Sequence, residues 1–127
     1  MSELFEKSIQ ILELPRVLEQ LAACAVTDEG KDRCRALRPM TDQDDVQRAQ
    51  EETSAAVKML VLRGTPPFSG VRPIGASLQR ADMGGSLNTR ELLDIAGVLR
   101  SARAAQSYGE ADEKTAISHL FNCLTPN

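Results

Sequence analysis

Residues 27–42 read TDEGKDRCRALRPMTD, a stretch that closes one helix and opens the next with no β-strand character between them. Thr27 offers a hydroxyl for a helix N-terminus, and Asp28 and Glu29 follow where the positive end of the helix dipole favours carboxylates. Arg33, Arg35 and Arg38 fall toward the negative end, and Pro39 stops the element. Thr41-Asp42-Gln43-Asp44 then starts another helix with an approximate capping box, Asp44 standing where Glu or Gln is usual. Gly30 resists this reading, because a glycine inside a helix costs about 1 kcal/mol relative to alanine. It calls for a neighbour that must come close.

Working outward, Pro15 suits a first helical turn and predicts a helix over 15–26 with Val17, Leu18, Leu21, Ala22 and Ala25 on one face. Residues 3–14 alternate irregularly and stay open between helix and extended arm. Cys34, three residues before Leu37, is placed on a buried stripe. Downstream, Val46, Ala49, Thr53, Ala56, Val57 and Leu60 step by three and four, predicting a long helix over about 42–62 that ends at Gly64. Its stripe is either a seam for a second subunit or the side packed on helices 15–26 and 88–106. TPPFSGVRP at 65–73 must be a loop, since adjacent prolines cannot continue a helix.

A short helix over about 74–83, with Ile74, Leu78 and Ala81 on one side, breaks at Gly84-Gly85. Asn88 and Glu91 form a capping box, with Leu87 placed to staple onto Leu92. That helix runs through Leu92, Ile95, Ala96 and Leu99 to about Gln106. A last amphipathic segment, 112–124, carries Ile117, Leu120, Phe121 and Leu124. The expected fold is an all-α bundle of about five to six helices, one of them long, joined by a Pro/Gly loop in a single domain spanning 1–127.

Composition agrees. The chain has 127 residues, 42% apolar but only 3% aromatic, so its core must come from Leu, Ile, Val and Ala, which favours closely packed helices. With 15 basic and 18 acidic residues the net charge is -3, which removes any global field drawing it to nucleic acid or an anionic membrane. No apolar run approaches the roughly 20 residues a bilayer needs, and the start MSELFEKS is acidic where a signal peptide is basic. A cytoplasmic protein is expected. Cys24, Cys34 and Cys123 are odd in number with no CxxC spacing, which points to reduced thiols.

The chain lacks a Walker glycine loop, a GxGxxG, an HExxH and a GxSxG. His119, the sole histidine, lies four residues before Cys123, but two ligands do not complete a tetrahedral site. No catalytic, cofactor-binding or metal residue is assigned. The remaining candidates are Lys31, Arg35 and Arg38, which share a helix face at spacings of 0, 4 and 7 beside a tight helix–helix junction. They read either as non-specific contacts to a nucleic-acid backbone or as a solvated, intramolecularly paired face. Asp28, Glu29 and Asp32 flank them.

The series Thr27-x-x-Gly30-x-x-Arg33-x-x-x-Leu37-x-Pro39-x-x-Asp42 resembles the start of the core, or lever, region of MutS-type ATPases. Glu51-Glu52-Thr53, Arg63-Gly64-Thr65-Pro66-Pro67, and Arg80-Ala81-Asp82-Met83-Gly84-Gly85 followed by Glu91-Leu92-Leu93-Asp94 sharpen the match. They are similar to the second bacterial MutS paralogue, whose chains end in a Smr nuclease domain and lack the mismatch-reading domain. The resemblance runs over roughly residues 5–127. It implies that Gly30 lies where two helices pass closely, and that this chain is the N-terminal core or lever part of a larger protein.

On that resemblance ATP with Mg, endonuclease activity and homodimerisation belong to the parent, and this fragment is no enzyme and holds no cofactor. Its role would be to couple ATP state to a clamp closing around DNA or colliding ribosomes, in mismatch repair, suppression of recombination or ribosome rescue. Its partner would be the rest of the parent chain. Two alternatives stand beside this: a stand-alone nucleic-acid-binding module using the basic face, and a self-associating helical scaffold.

Overall fold

The computed structural model describes residues 2–110 and 114–126, and among them it contains helices and no strand, as the sequence predicts. The helices are α1 (Glu3–Ile11), α2 (Leu14–Cys24), α3 (Asp28–Arg35), α4 (Gln43–Arg63), α5 (Gly75–Asp82), α6 (Thr89–Gly109) and α7 (Ser118–Asn122). They form two compact units, Met1–Arg38 and Pro39–Asn127.

In the first unit the open question at the start resolves to a helix. Ser2 Oγ accepts the Phe5 N–H, and Glu3 and Glu6 occupy the first turn. Glu13, in the left-handed region at φ 57°, turns the chain into α2, where Pro15 sits in the first turn. Ile9, Leu18 and Ala22 form the buried core. Val17 and Leu21, assigned to the same face as Leu18, are exposed, because only a narrow part of α2 is covered.

Thr27 caps α3 as expected, its hydroxyl accepting the Gly30 N–H at 3.0 Å. A side chain at position 30 would bring Cβ to 2.8 Å from that hydroxyl and 3.6 Å from Ala25 Cβ. The close neighbour of Gly30 is therefore its own cap and the turn before it, rather than a helix crossing. The stripe expected at Cys34 and Leu37 is not buried: Cys34 is half-buried and Leu37 is 45% exposed, since α3 ends at Arg35 and Leu37 stands outside the helix.

In the second unit the cap of α4 is Asp42, one residue later than the Thr41 box predicts, with Oδ1 accepting the Asp45 N–H at 3.1 Å. The covered line on α4 overlaps the predicted one only in part. Val46, Ala49 and Ala56 are half-buried as expected, but Thr53, Val57 and Leu60 are exposed, while Met59 is buried and Ala55 and Glu52 are half-buried. Thr53 spends its hydroxyl on the Ala49 carbonyl of its own helix.

The Arg80–Glu91 block acts as one mechanical piece. The Gly85 N–H bonds the Arg80 carbonyl at 2.8 Å and the Gly84 N–H bonds the Ala81 carbonyl, a Schellman ending to α5 with Gly84 at φ 85°. Arg80 then reaches Glu91 of α6 at 2.6 Å. Asn88 caps α6 through the Glu91 N–H, but the Glu91 carboxylate accepts from Arg80 and from the Asn88 side-chain amide. The expected box is thus replaced by a clasp between α5 and α6. Leu92, predicted to staple onto Leu87, is exposed.

At the other end, Tyr108 Oη donates to the Gly64 carbonyl at 2.7 Å, and the Arg63 guanidinium donates to the carbonyls of Tyr108 and Glu110. The C-termini of α4 and α6 are pinned together, with a cation where the helix dipole favours one. Within the segment predicted as a helix over 112–124, the described helical residues are Ser118–Asn122; residues 112 and 113 lie outside the described residues.

Candidate functional site

Two features could carry function, one in each unit. In the first unit, Arg35 turns its fork onto Glu19 of α2, with Nε to Oε2 at 3.0 Å and Nη2 to Oε1 at 2.9 Å, and adds Nη1 to Asp32 at 3.3 Å. The hydrogen bonds from Arg35 hold the Glu19 carboxyl below its usual range, and the Arg35 guanidinium is held above its own. Arg35 therefore ties α3 to α2, sixteen residues away in sequence. Arg38 donates to the Leu37 carbonyl beside it, and Lys31 is half-buried. The three cations predicted as a shared face are thus engaged unequally.

The depressed Glu19 value fixes a sign. Its pairing contributes stability above the unfolded carboxylate value, and that contribution disappears as pH falls through the lower folded value. Arg35→Ala should move the Glu19 titration midpoint upward toward that of a free glutamate, as read by the side-chain carboxyl resonance in NMR. An unmoved midpoint would show that the pair does not form in solution.

In the second unit, α4, α6, α7 and the 65–74 loop enclose an open groove of about 520 Å³, within the range of about 300–1,000 Å³ usual for binding clefts. Ala56, Met59 and Leu60 supply one wall. Val98, Ser101, Ala102 and Ala105 supply the facing one, where small residues leave the space open. Phe68 and Val71 close one side because the loop runs tightly against α6: a Cβ on Gly97 would lie 3.2 Å from the Gly70 carbonyl oxygen. Phe121 packs against Tyr108 at the end, ring centroids 6.1 Å apart and tilted by 47°. The lining is hydrocarbon except for the Ser101 hydroxyl and the Tyr108 hydroxyl, and the latter is already bonded to Gly64. Such a groove takes apolar side chains.

Sequence reasoning missed the groove. Its signal was the series Val98, Ser101, Ala105 and Tyr108 on α6, a heptad-like line of mostly small residues facing Ala56. Among the described residues, no group of three or more His, Cys, Asp and Glu side chains is placed to hold a metal ion. No described helix is long and apolar enough to cross a membrane. The Cys123 thiol donates to the His119 carbonyl within the last helical turn, and His119 Nε2 lies 3.9 Å from Glu52.

Comparison with known proteins finds curated relatives along nearly the whole chain. The chain is 41% identical to endonuclease MutS2 of Acetivibrio thermocellus over 127 aligned residues, 96% of this chain and 16% of that protein. It is 38% identical to endonuclease MutS2 of Ruminiclostridium cellulolyticum, again over 96% of this chain and 16% of the relative. With endonuclease MutS2 of a Geobacillus species the identity is 39% over 88% of the chain. The chain spans about one sixth of the length of these relatives and matches no family model and no solved structure.

Proposed function

Since this chain is part of a MutS2-type protein, matching relatives 34–41% identical over 95–96% of its length, we propose that it is the non-catalytic, N-terminal helical region through which the parent couples ATP state to a clamp. The observation that carries this reading is the near-complete coverage of the chain by proteins six times its length. A lever role fits the second unit. Its ends are fixed by the Arg80–Glu91 clasp and the Tyr108–Gly64 and Arg63 pins, and packed helical elements held this way shift between discrete arrangements instead of bending continuously.

On this reading ATP with Mg and nuclease chemistry reside elsewhere in the parent, which acts in the cytoplasm as a homodimer. The clamp closes around DNA, in mismatch repair or suppression of recombination, or around collided ribosomes. The names of the relatives favour an endonuclease parent. A direct nucleic-acid contact within this chain would rest on Lys31 and Arg38, because Arg35 is engaged by Glu19.

The purified 127-residue chain should release no phosphate from ATP and cut no DNA or RNA above a protein-free blank, while the full-length MutS2-type protein does both. Turnover by the isolated chain would overturn the reading. A steep, salt-sensitive affinity of the chain for duplex DNA, weakened by Lys31→Glu and Arg38→Glu, would instead favour the binding-module alternative.

A further inference from the structure

The apolar groove of the second unit lies open, and its surroundings say what kind of surface it needs. Leu60 and Leu120, on the groove itself, are 49% and 55% exposed. Contiguous apolar surface of this kind marks an interaction site.

The geometry points to the groove as the seat of an amphipathic helix supplied by the remainder of the parent polypeptide. Aliphatic side chains at positions i, i+3 or i+4, and i+7 of that helix enter between α4 and α6. This inference rests on the reading of the chain as part of a MutS2-type protein. Two facts select the occupant. About five-sixths of the length of the relatives lies outside the part that this chain matches, which supplies helix in cis at high effective concentration. A second copy of this chain is a poor alternative, because a two-fold contact sets the same patch against itself, and two concave grooves leave the space between them unfilled. The small residues Ala56, Ala102 and Ala105 are the feature that admits a foreign side chain. Larger ones would fill the groove from within.

The test uses Ala102→Phe, with Ala56→Leu on the opposite wall as a second variant and Leu93→Phe, on an exposed position of α6 away from the groove lining, as a control. Each is placed in the 127-residue chain and in the full-length MutS2-type protein. The apolar dye ANS should bind the short chain, and the two groove variants should reduce its fluorescence several-fold with helicity retained. In the full-length protein the unaltered groove should bind little dye. There the groove variants should raise dye fluorescence several-fold and speed amide exchange in α4 and α6, while Leu93→Phe does neither. Unchanged dye binding and exchange in both full-length groove variants would overturn the docking and leave the family reading intact. A short chain that sediments as a dimer, and becomes monomeric with Ala102→Phe, would overturn it by showing that a second copy covers the groove.

Discussion

Replacing Gly109 with alanine is expected to destabilise the second unit by about 2–3 kcal/mol, the upper part of the range for overpacking a filled site, and to lower its melting temperature by roughly 10 °C or more. Gly109 is the last residue of α6, and a Cβ there would run into the Phe121 ring and come within 2.6 Å of Phe121 Cβ. The ring cannot withdraw cheaply. It packs on Tyr108, whose hydroxyl is fixed to the Gly64 carbonyl, while Gln106 of the same helix holds the Leu124 carbonyl just beyond α7. Moving Phe121 therefore disturbs the end of the groove and the pin between α4 and α6 together.

A double-mutant cycle separates this clash from an intrinsic effect of alanine at a helix end. Phe121→Ala alone removes a half-buried ring and should cost about 2 kcal/mol. Gly109→Ala combined with Phe121→Ala should cost about the same as Phe121→Ala alone, since no ring remains to be struck. The coupling expected is then about 2 kcal/mol, large for a residue pair. Additive costs, measured by thermal or urea unfolding, would show that Gly109 and Phe121 do not meet.

These positions also show where sequence reading succeeds and where it stops. Helix starts were legible, to within one residue at Asp42, because each is a local device: Thr27, Asp42 and Asn88 act on N–H groups three residues away. The RAxxGG block was visible as a motif for the same reason, its hydrogen bonds closing within six residues. Which side of a helix is buried depends instead on what packs against it. The line through Val57 and Leu60 was the more apolar one, yet Met59 is the residue that α4 buries. Arg35 illustrates the limit for the candidate site. Its spacing from Lys31 and Arg38 marked a cationic face, but its partner Glu19 sits on another helix, and no period within α3 reveals it. The groove was hidden because it is made by small residues, whose contribution is the volume they leave empty.

The first unit should be the more fragile of the two, and Ala22→Leu should expose the difference. Ala22 is the one described residue with no measurable exposure, set in α2 at the junction with α3. Three added carbons there have nowhere to go, which costs about 1–3 kcal/mol. Only Ile9 and Leu18 share that core, and a body of fewer than about 40 residues has little stability to lose. The variant should therefore open the unit locally instead of shifting a single cooperative transition. Amides of α1, α2 and α3 should lose most of their protection from hydrogen exchange, the Glu19 carboxyl should return to an ordinary titration, and amides of α4 and α6 should keep theirs. Val17→Leu, a larger side chain on an exposed position of the same helix, should change none of these. Retained protection across α1 to α3 in Ala22→Leu would mean that the tight α2–α3 junction is not what holds the unit together. Equal loss in α4 and α6 would mean that the two units unfold as one.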